Sequence, residues 1–249
     1  MDYWSRKEEL KKKAVSHTGL MECKYHTSIT QCVKETRTYS EMPERGEDLH
    51  EPKIVLINTD SVDALFKEGA GKTAVLNFAS YKNPGGMFIN GSSAQEESLC
   101  HESFLFNVLK ECSEYYEWNN KHKNKALYLN RALYSPKVVF IHNDKTLLCD
   151  VITCAAPNYT AAKKYQNVSE EENERYLKSR ILFVRNIAEI EGVKTLILGA
   201  YGCGVFGQNP ETVANFFKEA FATTSVQKIV YAVPGNDKNY LTFKRIFGG

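Results

Sequence analysis

The chain has 249 residues, 43% of them hydrophobic and 25% charged, which are ordinary globular values and enough to bury one full α/β core. A formal net charge of +2 gives no surface suited to coating a polyanion, and Lys11-Lys12-Lys13 reads as the wet face of a helix. No apolar run is long enough to cross a bilayer, Met1 to Leu20 lack a signal-peptide core, and the seven cysteines and six histidines show neither CxxC nor zinc spacing. These features lead us to expect a cytoplasmic protein with no membrane contact, no disulfide framework and no bound metal.

Residues 1–50 are rich in Lys, Glu, Thr and Ser, with weak helical periodicity at Leu10, Ala14 and Leu20. They read as a helical N-terminal extension and a solvated linker ahead of a main domain at 51–249, with Pro52 at the junction. From there apolar runs predict strands at Ile54–Asn58, Ala74–Ala79, Val138–His142, Leu148–Ala155, Thr195–Ala200 and Lys228–Val233, with Leu127–Leu133 a weaker candidate. An amphipathic run from Ala94 to Leu109 predicts one helix, with Tyr115, Tyr116 and Trp118 at its end as core or rim residues. Ser169 and Glu172 form a capping box ahead of the stripe Leu177, Ile181, Val184, Ala188. Asn209-Pro210-Glu211 supplies an N-cap, a proline at the first helical position and a first-turn acid. Strands alternating with helices predict a three-layer α/β/α domain.

Two loops carry the chemistry. Asn83-Pro84-Gly85-Gly86-Met87 follows a predicted strand, and Gln95-Glu96-Glu97 opens the predicted helix behind it. A strand, a glycine loop and a helix opening on adjacent carboxylates suit gripping a ribose-phosphate and doing acid chemistry beside it. Neighbouring residues leave a helix about 100° apart, so Glu96 and Glu97 are not expected to point at one atom or to straddle a bond as an ordinary glycosidase pair does. Two separate tasks fit better, one acid gripping a hydroxyl and the other moving a proton; acids stabilised by the helix dipole are the plainer alternative.

The second loop, Gly199 to Gly207, has four glycines in nine residues between a strand and the Pro210 helix. Glycines let backbone N–H groups approach an anion, and both loops fall at carboxyl ends of strands, where α/β sheets bind ligands. The loop is neither GxGxxG nor a P-loop. Cys203 has no histidine near it in sequence and reads as a small residue filling a tight loop. His101 lacks metal-ligand spacing and reads as a packed helix residue.

At these loops the sequence resembles the microbial-type poly(ADP-ribose) glycohydrolases, a branch of the macrodomain fold. Their signature is three glycines, a spacer of six to eight residues, then Gln-Glu-Glu. Here it runs Gly85-Gly86-Met87, seven residues from Phe88 to Ala94, then Gln95-Glu96-Glu97. The similarity extends over residues 54–245.

The resemblance implies a macrodomain-like fold with a mixed central sheet and hydrolysis of ADP-ribosyl O-glycosidic bonds without a cofactor. It assigns Glu97 as the acid that protonates the departing oxygen, Glu96 as the group positioning ribose hydroxyls, and Gln95 as the residue holding the motif. Asn83, Gly85, Gly86 and Met87 fall on the loop at the distal ribose. Gly202, Cys203, Gly204, Val205 and Phe206 match the diphosphate loop, and Asp60 matches the acid that reads adenine. The implied partner is ADP-ribose or an ADP-ribosylated macromolecule, bound by a monomer with no sequence-specific nucleic-acid contact.

Met87 departs from the signature. If φ there must be positive, methionine costs roughly 1–2 kcal/mol. Two other readings follow: a module that binds ADP-ribose without turnover, or a hydrolase releasing ADP-ribose from nucleobases or amino-acid side chains.

Overall fold

The computed structural model describes residues 3–248. The chain runs α1 (Tyr3–Glu35), β1 (Arg37–Tyr39), β2 (Lys53–Ile57), α2 (Ser61–Glu68), β3 (Thr73–Phe78), α3 (Gln95–His101), α4 (Leu105–Leu109) and α5 (Ser113–Lys121), then β4 (Ala132–His142) and β5 (Lys145–Cys154). It continues through α6 (Tyr159–Gln166), α7 (Glu170–Ile190), β6 (Thr195–Leu198), α8 (Pro210–Ala220), β7 (Lys228–Ala232) and α9 (Lys238–Phe247). The strands form one mixed seven-stranded sheet in the order β1-β4-β5-β3-β6-β7-β2. β5, β3, β6, β7 and β2 are parallel neighbours, while β4 pairs antiparallel with β5 and with β1.

Alternation along the strands makes the layers, because successive side chains leave opposite faces. Ala74 and Leu76 of β3, Leu196 and Leu198 of β6, and Ile229 and Tyr231 of β7 enter one core with α7, α8 and α9. Val75, Ile197 and Val230 enter the other, beneath α1 to α5. The Ser169 Oγ accepts the Glu172 N–H at 3.1 Å, and Leu177, Ile181, Val184 and Ala188 are all fully buried. Each of the larger three contributes about 1.5–3 kcal/mol by burial.

α1 carries Lys11, Lys12 and Lys13 exposed, breaks its helical geometry at Tyr25, and buries Ala14, Met21, Ile29 and Cys32 in the second core. Its backbone at Lys7 lies against Gly91, where no side chain would fit. Among the described residues, no helix is long and apolar enough to cross a membrane.

Three local expectations fail. The helix expected from Ala94 to Leu109 is two helices, because the chain at 102–104 pairs with the outer edge of β4. Ile141 donates its N–H to Glu102 O at 2.7 Å, Ser103 bridges Phe140, and the Ser103 Oγ accepts the Leu105 N–H at 3.0 Å to start α4. Tyr115, Tyr116 and Trp118 consequently sit on their own helix, α5, with both tyrosines buried. The weak strand at Leu127–Leu133 begins only at Ala132; Tyr128 has φ +62°, which a β ladder cannot continue. The three-residue strand β1 was not among the strands expected from the sequence.

Candidate active site

The carboxyl ends of three adjacent parallel strands define the site. Phe78 ends β3, Ala156 follows β5, and Ala200 to Gly202 follow β6; all line a cavity of about 440 Å³ closed by Gly86, Met87, the 94–97 turn, Gly204, Val205 and Phe206.

Gln95 fastens the opening of α3 to β3. Its side-chain oxygen accepts the Phe78 N–H and its amide donates to Leu76 O, both at 2.9 Å, with a further bond to Ser61 Oγ at 3.1 Å. Glu96 turns back to the end of the same strand, accepting from Asn77 Nδ2 at 3.1 Å and from the Ser80 N–H at 2.7 Å. Glu97 accepts the Met87 N–H at 2.9 Å and the Ala94 N–H at 3.0 Å. One carboxylate thus clasps the residue before the Phe88–Ala94 spacer and the spacer's last residue. The bond to Ala94 is also the acidic half of a capping box, caught by the third helical residue.

Both acids are buried, at 3% exposure for Glu96 and 6% for Glu97. Their side chains leave the helix in different directions, yet both bend onto Gly86. A Cβ on that glycine would stand 2.7 Å from Glu97 Oε1 and 2.9 Å from Glu96 Oε2, so the two oxygens flank one point. This corrects the expectation that adjacent acids cannot reach a common atom: three rotatable bonds in each side chain overcome the divergence of their Cα–Cβ bonds. Burial pushes the Glu96 carboxyl up to about 8 against the opposing effect of its donors Ser80 and Asn77, with the neighbouring Glu97 carboxyl acting in the same direction as burial.

Met87 has φ −112°, outside the left-handed region, so methionine carries no strain of that kind here. The two glycines before it take the left-handed turns, at φ +64° and +63°. Gly85 packs away from the cavity against Phe106 and Cys100, while the Met87 side chain is 45% exposed at the cavity rim.

The opposite wall is the Tyr201–Gly207 loop. Gly202, at φ +74°, lies so close to Ala156 and Gln208 that a Cβ would be 2.8 Å and 2.9 Å from their side chains. Gln208 fixes the far end by donating to Pro157 O at 2.8 Å and Asn173 Oδ1 at 2.9 Å. Within the loop the N–H groups of Cys203 and Gly207 bond back to Ala200 and Gly204. Among the described residues, no acceptor takes the N–H of Gly204, Val205 or Phe206. Successive free donors of this kind make an anion nest.

The cavity gathers Gly86, Met87, Gln95, Glu96, Glu97, Gly202, Gly204, Val205 and Phe206. Asn83, Gly85, Cys203 and Asp60 are not on its wall. Asn83 closes the turn by accepting the Gly86 N–H at 3.1 Å. Burial pushes the Cys203 thiol up to about 12, which leaves it a poor nucleophile. Asp60 caps α2, its Oδ1 accepting the N–H of Val62 and of Asp63 at 2.9 Å. His101 is a packed residue, its ring edge-on to Phe88 at 4.6 Å and its pKa lowered to about 4 by burial.

Phe78, Ser80, Ala156 and Tyr201 also line the cavity and were missed in the sequence. Their signal is topological: each stands at or just beyond the carboxyl end of a parallel strand.

The mixed seven-stranded sheet between two helical layers is that of a macrodomain-like α/β fold. The microbial-type PARG catalytic-domain model matches residues 8–143, more than half of the sequence, and the chain belongs to that family. Poly(ADP-ribose) glycohydrolase from Thermomonospora curvata is 27% identical with a TM-score of 0.85, over 96% of this chain and 100% of that one. The same protein bound to the inhibitor ADP-HPD matches at 26% identity and a TM-score of 0.82, over 96% and 99%. Poly(ADP-ribose) glycohydrolase from Deinococcus radiodurans in complex with ADP-ribose matches at 30% identity and 0.75, over 87% and 96%. A comparison of the sequence with curated proteins gives no match.

Proposed function

We propose that this chain hydrolyses the O-glycosidic bond that joins one ADP-ribose unit of a polymer to the next. Glu97 is the general acid and Glu96 positions the terminal ribose. The observation that carries the reading is the convergence of two buried carboxyls on Gly86 at one end of a cavity whose other wall offers backbone N–H groups with no acceptor among the described residues. An ADP-ribose unit has matching parts, a terminal ribose for the acids and, joined to it, a diphosphate for the Gly204–Phe206 donors.

In the reaction, the C1–O bond to the departing chain breaks as Glu97 passes its proton to the leaving oxygen. Water then supplies hydroxyl to C1 and its remaining proton restores the acid. Glu96 retains its own proton at neutral pH because it is buried, so it can both accept from Asn77 and Ser80 and donate to a ribose oxygen. Phe206 packs beside the nucleotide. Asn83 and Gly85 shape the ribose loop from behind, and Asp60, which caps α2 through Oδ1 alone, reads the adenine with Oδ2.

The test is to incubate the protein with an automodified poly(ADP-ribose) acceptor and measure free ADP-ribose. Release that disappears in Glu97→Gln supports the reading. Tight ADP-ribose binding with no release would make the protein a reader instead, and release only from modified nucleobases or side chains would change the leaving group.

A further inference from the structure

A second cavity, of about 400 Å³, opens beside the first and is lined by Lys82, Lys123, Lys125, Tyr128, Asn158 and Tyr165 among others. Three links tie the two cavities together. The segment after β3 gives Ser80 to the first and Lys82 to the second; the segment after β5 gives Ala156 to the first and Asn158 to the second. Phe206 of the first meets Tyr128 of the second edge-on, with ring centroids 6.3 Å apart.

The second cavity is cationic and partly aromatic. Lys125 pairs with Glu172 at 3.2 Å, whereas Lys82 and Lys123 are exposed and have no carboxylate partner among the described residues. Tyr165 is 68% exposed, with the Lys164 ammonium 5.1 Å from its ring centre. Tyr128 stacks on Tyr81 at 4.1 Å.

One wall is also held in a conformation that non-glycine residues avoid. Asn124, Lys125, Ala126 and Tyr128 have φ of 43°, 54°, 65° and 62°. The turn is secured by bonds from the Ala126 N–H to Lys123 O and from the Leu127 N–H to Asn124 O, both at 2.9 Å. Backbone strain of this kind gathers where function needs a particular placement, and here it sets Lys123, Lys125 and Tyr128 on the wall of a single cavity.

We propose that this cavity is a subsite for the ADP-ribose unit next to the one being released. Its diphosphate would lie on Lys82 and Lys123, and its base against Tyr165. The inference rests on the glycohydrolase reading of the first cavity. Continuity favours polymer over nucleic acid, since the segments that follow β3 and β5 each line both cavities. Lysine ammonium groups suit a diphosphate, and an exposed tyrosine suits a base face.

The test compares wild type with the double variant Lys82→Gln/Lys123→Gln, whose exposed positions leave the fold intact. For long poly(ADP-ribose) chains we expect KM to rise about tenfold with kcat unchanged, and the dependence of KM on salt to flatten. Affinity for free ADP-ribose, read by calorimetry, stays within twofold. Tyr165→Ala should raise the polymer KM in the same direction by a smaller factor. An unchanged polymer KM in both variants overturns the subsite while leaving the glycohydrolase reading in place. A wild type that releases no ADP-ribose overturns that reading and this one with it. If the double variant loses binding to single-stranded oligo(A) RNA while its polymer KM stays put, the cavity is a nucleic-acid site and the proposal falls.

Discussion

On the acid wall of the cavity, all four carboxylate oxygens of Glu96 and Glu97 are held by protein donors: Asn77, Ser80, Met87 and Ala94. Across from them the N–H groups of Gly204, Val205 and Phe206 have no acceptor among the described residues, and Val205 is 85% exposed. The acid wall is fixed before any ligand arrives, as preorganised catalysis requires. The glycine wall leaves its donors open. Substitutions on the first should therefore act on rate, and on the second on binding.

The largest expected effect is at Glu97. Glutamine keeps the shape and one of the two N–H bonds but donates no acidic proton, so turnover should fall at least ~100-fold while ADP-ribose affinity stays within a few-fold by calorimetry. Small and equal losses in Glu97→Gln and Glu96→Gln would reduce both residues to helix-capping acids and remove the distinction between the walls.

Glu96 should reveal itself through pH. In the folded chain its carboxyl keeps a proton to about 8, against an ordinary 4.5. Between those values the folded state binds more protons than the unfolded state, so this group lowers stability as pH rises. The slope reaches about 1.4 kcal/mol per pH unit. Urea unfolding at pH 5 and pH 8 should show the decline in wild type and a flatter profile in Glu96→Gln. Parallel profiles for the two proteins would mean that burial does not hold the proton on Glu96.

Gly204→Val separates fold from ligand on the other wall. A Cβ there meets nothing within 4 Å, so the melting temperature should not move. The side chain would instead fill space beside the free N–H groups, weakening ADP-ribose binding about tenfold, or 1.4 kcal/mol. Unchanged calorimetric affinity would take the diphosphate away from this loop.

The same contrast explains what the sequence could and could not reveal. Strand cores such as Leu196-Ile197-Leu198 are local apolar runs, and the acids and glycines are conspicuous by type. Even the seven-residue spacer has a local cause, since Glu97 must bond both Met87 and Ala94. The break between α3 and α4 was hidden, because it depends on distant β4 residues that recruit the backbone of 102–104. The turn at Asn124–Ala126 was hidden because no glycine marks its left-handed angles. Phe78, Ala156 and Tyr201 come together only through the order of β3, β5 and β6. The meeting of Glu96 and Glu97 at Gly86 depends on side-chain torsions that no spacing encodes.

The smallest effect is expected at Met87, where the chain departs from the three-glycine signature. With φ at −112°, methionine occupies ordinary backbone space, and glycine there would relieve no strain. Met87→Gly should instead cost about 0.5–1 kcal/mol through the added freedom of the unfolded loop. The Met87 N–H still reaches Glu97 in that variant, so the acid keeps its bond and the chemical step is untouched. What changes is the rim, where a 45% exposed thioether is removed at the end of the cavity proposed for the terminal ribose. Polymer turnover should therefore hold or rise by no more than about threefold, below 1 kcal/mol in barrier, with a small drop in melting temperature. A rise of many fold would show that the methionine obstructs the acid wall, and that the wall fixed in advance for chemistry is also a gate on which substrates reach it.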